Sequence, residues 1–387
     1  MPLVCNIPLS LYIHLPWCVK KCPYCDFNSF KQNGIIPEEA YINALLKDLS
    51  QELPKMTNRQ ISSIFIGGGT PSLFSAESIS RLLKEINNLV DIVPNVEITM
   101  EANPGTFEQE RFAGFRAAGI NRLSLGIQSF NATHLKILGR IHGQAESLTA
   151  ATAAKQIGFS KINLDLMYAL PNQTIEEALV DLQQAIALSP THLSWYHLTI
   201  EPNTAFYRQP PKVPVDDIVD EMEMLGEALL EKHHFSHYEV SAFCQDEQQC
   251  VHNLNYWQFG DYLGIGAGAH SKITLPDENK VLRFWKQRVP HQYLNPVENF
   301  TSNQRVIEKE DLILEFMLNA LRLADGFSIN LFETRTGLNF TDIEKPCDNA
   351  LRKGLITLQN HQITPTLQGK RFLNDLMGLF LPTTQNN

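Results

Sequence analysis

The chain has 387 residues, 43% of them hydrophobic, and a formal net charge of −10. That length suits one barrel plus an appendage, or two to three domains of about 150 residues each. The acidity argues against a broad nucleic-acid-binding face. No run approaches the roughly 20 apolar residues of a bilayer span. The start, Met1-Pro-Leu-Val-Cys-Asn-Ile-Pro8, lacks a basic stretch followed by a long apolar core, so no secretion signal is expected. Seven cysteines, an odd number, suit a reducing compartment, and the cytosol is the expected location.

A strand is expected at 11–15, running into Pro16-Trp-Cys18-Val-Lys-Lys-Cys22-Pro-Tyr-Cys25-Asp-Phe27. Its prolines, lysines and tyrosine make this a loop and not a core face, so the C-x3-C-x2-C spacing points to metal or redox chemistry. A closed zinc site or an ordinary ferredoxin-type cluster takes four protein ligands. Three thiolates on a four-iron cluster leave one iron open. A zinc site completed by His14 is the rival, against which His14 lies inside the apolar strand and no second C-x2-C pair follows.

Apolar stripes at helical spacing (Tyr41, Ile42, Leu45, Leu46, Leu49, Leu53; then Ile175, Leu179, Leu182, Ile186) alternate with strand-like runs at 64–66, 96–101, 122–128, 162–167 and 192–200. Six strand–helix units predict a parallel sheet and an open (β/α)6 barrel. Gly67-Gly-Gly-Thr-Pro71, Glu101, Gln128 and Asp165 fall at or near the C-terminal strand ends, the rim where such barrels build their chemistry.

After Tyr12-Ile-His-Leu-Pro16, the C-x3-C-x2-C loop resembles the cluster loop of the radical S-adenosylmethionine (SAM) superfamily. The resemblance implies an α/β fold of partial-barrel type and a [4Fe-4S] cluster on Cys18, Cys22 and Cys25. It also implies SAM on Tyr12, Tyr24, Gly68, Gly69, Thr70, Glu101, Gln128, Arg140 and Asp165. Within that superfamily, Phe27 stands where the oxygen-independent coproporphyrinogen III oxidase branch carries a further cysteine, and Cys25-Asp26-Phe27 resembles the haem-chaperone branch. The 17 residues before Cys18 are also fewer than the oxidase branch carries.

Beyond a linker or rim segment at 210–214, a helix is expected at 217–232 and a flanking strand at 238–243. Cys250-Val-His252-Asn-Leu-Asn-Tyr256-Trp257 follows, with the His-Asn-x-x-Tyr-Trp pattern of the haem-chaperone branch. An imidazole and a phenol are candidate axial ligands to haem iron, the indole can stack on a porphyrin, and Cys250 is a further candidate. Which atom ligates is left open. Leu263-Gly-Ile-Gly-Ala-Gly-Ala-His270 does not open a helix of a βαβ unit, and reads as backbone packing rather than a nucleotide fingerprint. Helices at 312–321, 329–336 and 343–353 and a hairpin at 355–364 resemble a winged helix, read as a scaffold or partner surface because the chain is acidic. A polar tail ends the chain at 384–387.

The expected organisation is a barrel over 1–240, a flanking segment over 241–300 and a mainly helical, winged-helix-like domain over 301–387. The resemblance implies a haem chaperone serving respiratory proteins through peripheral membrane contact, with a homodimer when haem- or cluster-loaded and no nucleic-acid partner. The alternatives are a coproporphyrinogen III dehydrogenase and a winged-helix regulator with a redox sensor.

Overall fold

The structure is a computed structural model, and it describes residues 7–56, 58–105 and 109–382. The start of the chain and its polar tail at 384–387 lie outside these. Six strands, β1 (Leu9–Leu15), β2 (Ile61–Gly68), β3 (Ile92–Ala102), β4 (Arg122–Gln128), β5 (Lys161–Tyr168) and β6 (His192–His197), pair in chain order. Each is parallel to the next. The helices α1 (Glu38–Glu52), α2 (Ala76–Leu89), α3 (Phe112–Ala118), α4 (Gln144–Ile157), α5 (Ile175–Ala187) and α6 (Asp216–Lys232) follow the six strands in turn. Local signals set their ends. Ser75 and Thr174 accept hydrogen bonds from backbone amides as N-caps, and Gly119 and Gly158 close α3 and α4 in the left-handed conformation.

Strand alternation divides the sheet into two unlike faces. Leu11, Ile13, Ile64, Ile66, Met100, Leu123, Leu125, Leu164 and Leu166 point outward into the main core with the helices. Phe65, Thr99, Glu101, Arg122, Ser124, Asn163, Asp165 and Ser194 line an inner cavity instead. The half-barrel is therefore mostly polar inside, unlike a closed barrel filled with branched aliphatics.

The strand expected at 238–243 is two: β7 (Ser236–Glu239) and β8 (Ala242–Cys244) form an antiparallel hairpin, and β8 joins β6. The helix α7 (Val251–Trp257) packs against β1 and β2. The glycine-rich stretch then supplies a strand the periodicity did not reveal. β9 (Asp261–Ile265) pairs parallel with β1 on its free edge. β10 (His270–Leu275), β11 (Lys280–Lys286) and β12 (Thr301–Val306) extend the sheet antiparallel, so it stays open from β12 to β7. Gly266, at φ +103, makes the turn out of β9, where a Cβ would stand 2.3 Å from the His14 carbonyl oxygen.

Helices α8 (Lys309–Ala320), α9 (Ile329–Thr336) and α10 (Glu344–Arg352), with the hairpin Ile356–Gln359 and Gln362–Pro365, enclose a second core built on Phe316, Phe332, Ile343 and Ile363. Phe327–Ser328 adds a third short strand to that hairpin, completing the helix and wing order.

Candidate functional site

The loop after β1 is held by its neighbours before any ligand is considered. Gly69 donates its amide to the Leu15 carbonyl (2.8 Å) and Thr70 to the Trp17 carbonyl (2.7 Å), so the glycine turn after β2 clasps the entry to the cysteine loop. A Cβ on Gly69 would lie 2.4 Å from the Trp17 oxygen, so only glycine permits this approach. Cys18, Cys22 and Cys25 are free thiols on one loop and line one cavity of about 650 Å³. Burial pushes the Cys18 and Cys25 thiols up, with Ser29 opposing.

The same cavity is lined by Tyr24, Gly68, Gly69, Thr70, Glu101, Gln128, Arg140 and Asp165. Of the residues expected to meet SAM, Tyr12 stands apart. It lines a second cavity, of about 510 Å³, that shares Asp26, Phe27, Gly68 and Glu101 with the first. Tyr12 stacks on Phe65 and donates to His14 Nδ1 (2.8 Å), while His14 Nε2 donates to the Asn28 carbonyl (2.9 Å). Both His14 nitrogens are thereby used within the fold, which leaves none for zinc. Among the described residues no three His, Cys, Asp or Glu side chains converge as ligands of a single ion. Three free thiols lining one cavity are the donor type that an iron–sulfur cluster takes, so the donor set fits a cluster in its chemistry.

Glu101 accepts from the Gly68 amide at 3.0 Å, yet burial and the Asp165 charge push its carboxyl up to about 8. Asp165 is pushed up to about 6 by burial, against hydrogen bonds from Ser124 (2.9 Å) and Asn163 (2.7 Å). Gln128, at φ +72 on the register shift that ends β4, accepts from the Tyr196 hydroxyl at 2.6 Å. Arg140 donates to the Gly126 carbonyl (2.6 Å) and to Asn103 (2.7 Å), and reaches Cys22 Sγ at 3.9 Å. Asn103 donates on to Thr70 (3.1 Å), which completes a chain from the cysteine loop to the glycine turn. Asn103, Ser124 and Tyr196 escaped the sequence reading. The detectable signal was position: Asn103 follows Glu101 by two, and Tyr196 is the penultimate residue of β6.

The residues expected around haem are spread over α7 and do not converge. His252 and Cys250 line a cavity of only about 130 Å³ inside the half-barrel, beneath Glu101 and Asp165. The His252 ring lies against Phe65, with Nδ1 3.7 Å from Glu97. Cys250 is buried, its thiol pushed up to about 12 by that burial. Tyr256 faces the second cavity beside Tyr262, and Trp257 lies under the Arg322 guanidinium at 4.6 Å.

Comparison with known proteins adds lineage to this geometry. The family model of the radical SAM superfamily matches residues 12–185, and that of the HemN C-terminal domain matches 307–372. The chain is 51% identical to the heme chaperone HemW of Haemophilus influenzae, over 97% of this chain and 98% of that protein. The chain belongs to the HemW family of the radical SAM superfamily. The Escherichia coli heme chaperone HemW is 47% identical over the same shares of the two chains. Among solved structures, the radical SAM coproporphyrinogen III oxidase HemN of Escherichia coli superposes with a TM-score of 0.82 at 24% identity, covering 97% of this chain and 90% of that one, which shows the shared fold. Membership of the superfamily implies a [4Fe-4S] cluster and SAM as cofactors.

Proposed function

We propose that the chain is a haem chaperone that holds a [4Fe-4S] cluster on Cys18, Cys22 and Cys25, binds SAM beside it, and passes haem to haem-requiring respiratory proteins. The observation that carries the reading is the common lining of the larger cavity by the three thiols and by Gly68, Thr70, Glu101, Gln128, Arg140 and Asp165. When bound, the cluster supplies an open iron corner for the amino and carboxylate groups of SAM. Glu101 and Asp165 offer acceptors to ammonium or hydroxyl protons. Arg140 offers a planar fork to a carboxylate, held in place by Asn103 and the Gly126 carbonyl. Delivery by this reading is through peripheral contact with the membrane from the cytoplasm; no helix among the described residues is long and apolar enough to cross a bilayer.

The 51% and 47% identities to heme chaperones, each over nearly the whole chain, support this reading. Phe27, where the oxidase branch has a cysteine, argues against decarboxylation. Anaerobic reconstitution is the test. The wild type takes up iron and sulfide, and Cys22→Ala loses at least about tenfold of both. Haemin added to the cluster-loaded protein gives a Soret band. Incubation with coproporphyrinogen III, SAM and a reductant yields no protoporphyrinogen; its formation would replace the chaperone with an oxidase.

A further inference from the structure

The second cavity lies against the first, with Asp26, Phe27, Gly68 and Glu101 in both walls. Its volume of about 510 Å³ is within the range of small-molecule sites. The 130 Å³ space that His252 faces is far smaller, and too small for a tetrapyrrole.

Three imidazoles line the second cavity and the 130 Å³ space, and they differ in what they can offer. His14 spends both nitrogens on Tyr12 and the Asn28 carbonyl. His252 is buried against Phe65 with Nδ1 turned toward Glu97. His270 is exposed, lines the second cavity, and makes no side-chain hydrogen bond among the described residues. Its ring is stacked on Trp285, with centroids 5.9 Å apart and planes 19° from parallel, so its orientation is set by packing.

Away from the wall shared with the first cavity, where Asp26 and Glu101 set carboxyl groups, the lining suits a flat, largely apolar ring with carboxylates at its rim. Tyr12 and Phe65 stack on one another, and Tyr256 and Tyr262 meet at 4.5 Å between ring centres. Aromatic faces of this kind favour a planar partner. Arg288 is exposed at the cavity edge, with no ion pair or side-chain hydrogen bond among the described residues. A guanidinium in that position matches a carboxylate with two parallel donors.

We infer that haem sits in this second cavity, with a His270 ring nitrogen as an axial ligand to iron, Arg288 on a propionate, and Tyr256 as wall. The inference rests on the haem-chaperone reading and assigns that reading its site. His252 is then a positioning residue that seats α7 through Glu97. Phe27, 58% exposed, stands between the haem and SAM spaces.

The test is haemin titration of cluster-loaded protein, read as the Soret difference spectrum against the same protein without haemin. His270→Ala moves the Soret maximum and weakens haemin binding by about tenfold or more, while iron and sulfide content stay at the wild-type level. Arg288→Ala weakens haemin by about tenfold and leaves haemin dimethyl ester unaffected. An unchanged maximum and affinity in His270→Ala, or a loss confined to His252→Ala, would overturn the site while leaving the chaperone reading intact. A wild type with no Soret band would overturn both.

Discussion

Glu101 and Asp165 line the same cavity, and the Asp165 charge makes Glu101 harder to ionise. From its ordinary value of 4.5, Glu101 is pushed up to about 8, first by burial and then by Asp165. The folded protein therefore keeps a proton that the unfolded chain releases, so stability falls as pH rises from about 4.5 through about 8. Glu101→Gln removes that slope, and its thermal midpoint exceeds the wild type's at pH 8 by more than at about pH 5. Parallel slopes for the two proteins in melts at both pH values would refute this. Ligand binding has the opposite sign. SAM is cationic at its sulfonium and ammonium, so an ionised Glu101 favours it. Its affinity for cluster-loaded protein is expected to rise between about pH 6 and about pH 8, and Glu101→Gln to flatten the rise, as read by equilibrium dialysis. The sequence placed both carboxylates at or near strand ends, and the resemblance grouped them around one ligand, but neither gave their depth of burial. Their shifted protonation follows from that burial and, for Glu101, from the Asp165 charge.

At the scale of elements, the glycine turn and the cysteine loop act as one unit. The loop has little regular structure beyond the two-residue pairing of Trp17–Cys18 with Phe30–Lys31. Its entry is fixed by amides from Gly69 and Thr70. Gly69→Ala drives a Cβ into the Trp17 carbonyl and is expected to cost about 1–3 kcal/mol in urea unfolding. It also lowers retained iron after reconstitution, because the displaced strand end carries Cys18. Full iron retention would show that the loop holds itself. On α5, the expected stripe of Ile175, Leu179, Leu182 and Ile186 is offset from the most buried line, Ala178, Asp181, Leu182 and Ala185. Asp181 is buried because Ser129 and the Phe130 amide donate to it at 2.6 and 2.8 Å. A polar residue inside an apolar stripe is invisible to periodicity until its partners are known.

Across the molecule, ion pairs join segments far apart in the chain. Lys286 of β11 is buried between Asp48 (2.6 Å) and Glu52 (2.7 Å) of α1, and Tyr293 donates to Asp48 at 2.6 Å. Asp261 of β9 is likewise held by Lys272 (2.7 Å) and Arg59 (2.8 Å). These contacts bind the four strands after α7 to the half-barrel, and so set the wall that carries Tyr262, His270 and Arg288. Lys286→Met removes the buried cation shared by Asp48 and Glu52, with an expected loss of about 3–5 kcal/mol in denaturant unfolding. A loss below about 1 kcal/mol would place the strength of this junction in apolar packing instead.

The sequence by itself determined the six strand–helix units, the C-terminal order of helices and wing, and the residues that end the strands. Each of those depends on local periodicity, capping or motif spacing. Only the tertiary structure decided that β9 is a seventh parallel strand, since Gly264 within it and Gly266 after it answer to the His270 and His14 carbonyls and not to a period of two. It alone decided that the polar strand faces point inward, that Asn103 links Arg140 to Thr70, and that His252 and Tyr256, one helical turn apart, open onto different cavities. Such facts depend on contacts between residues distant in the chain, and the geometry of those contacts exists only once the chain has closed around them.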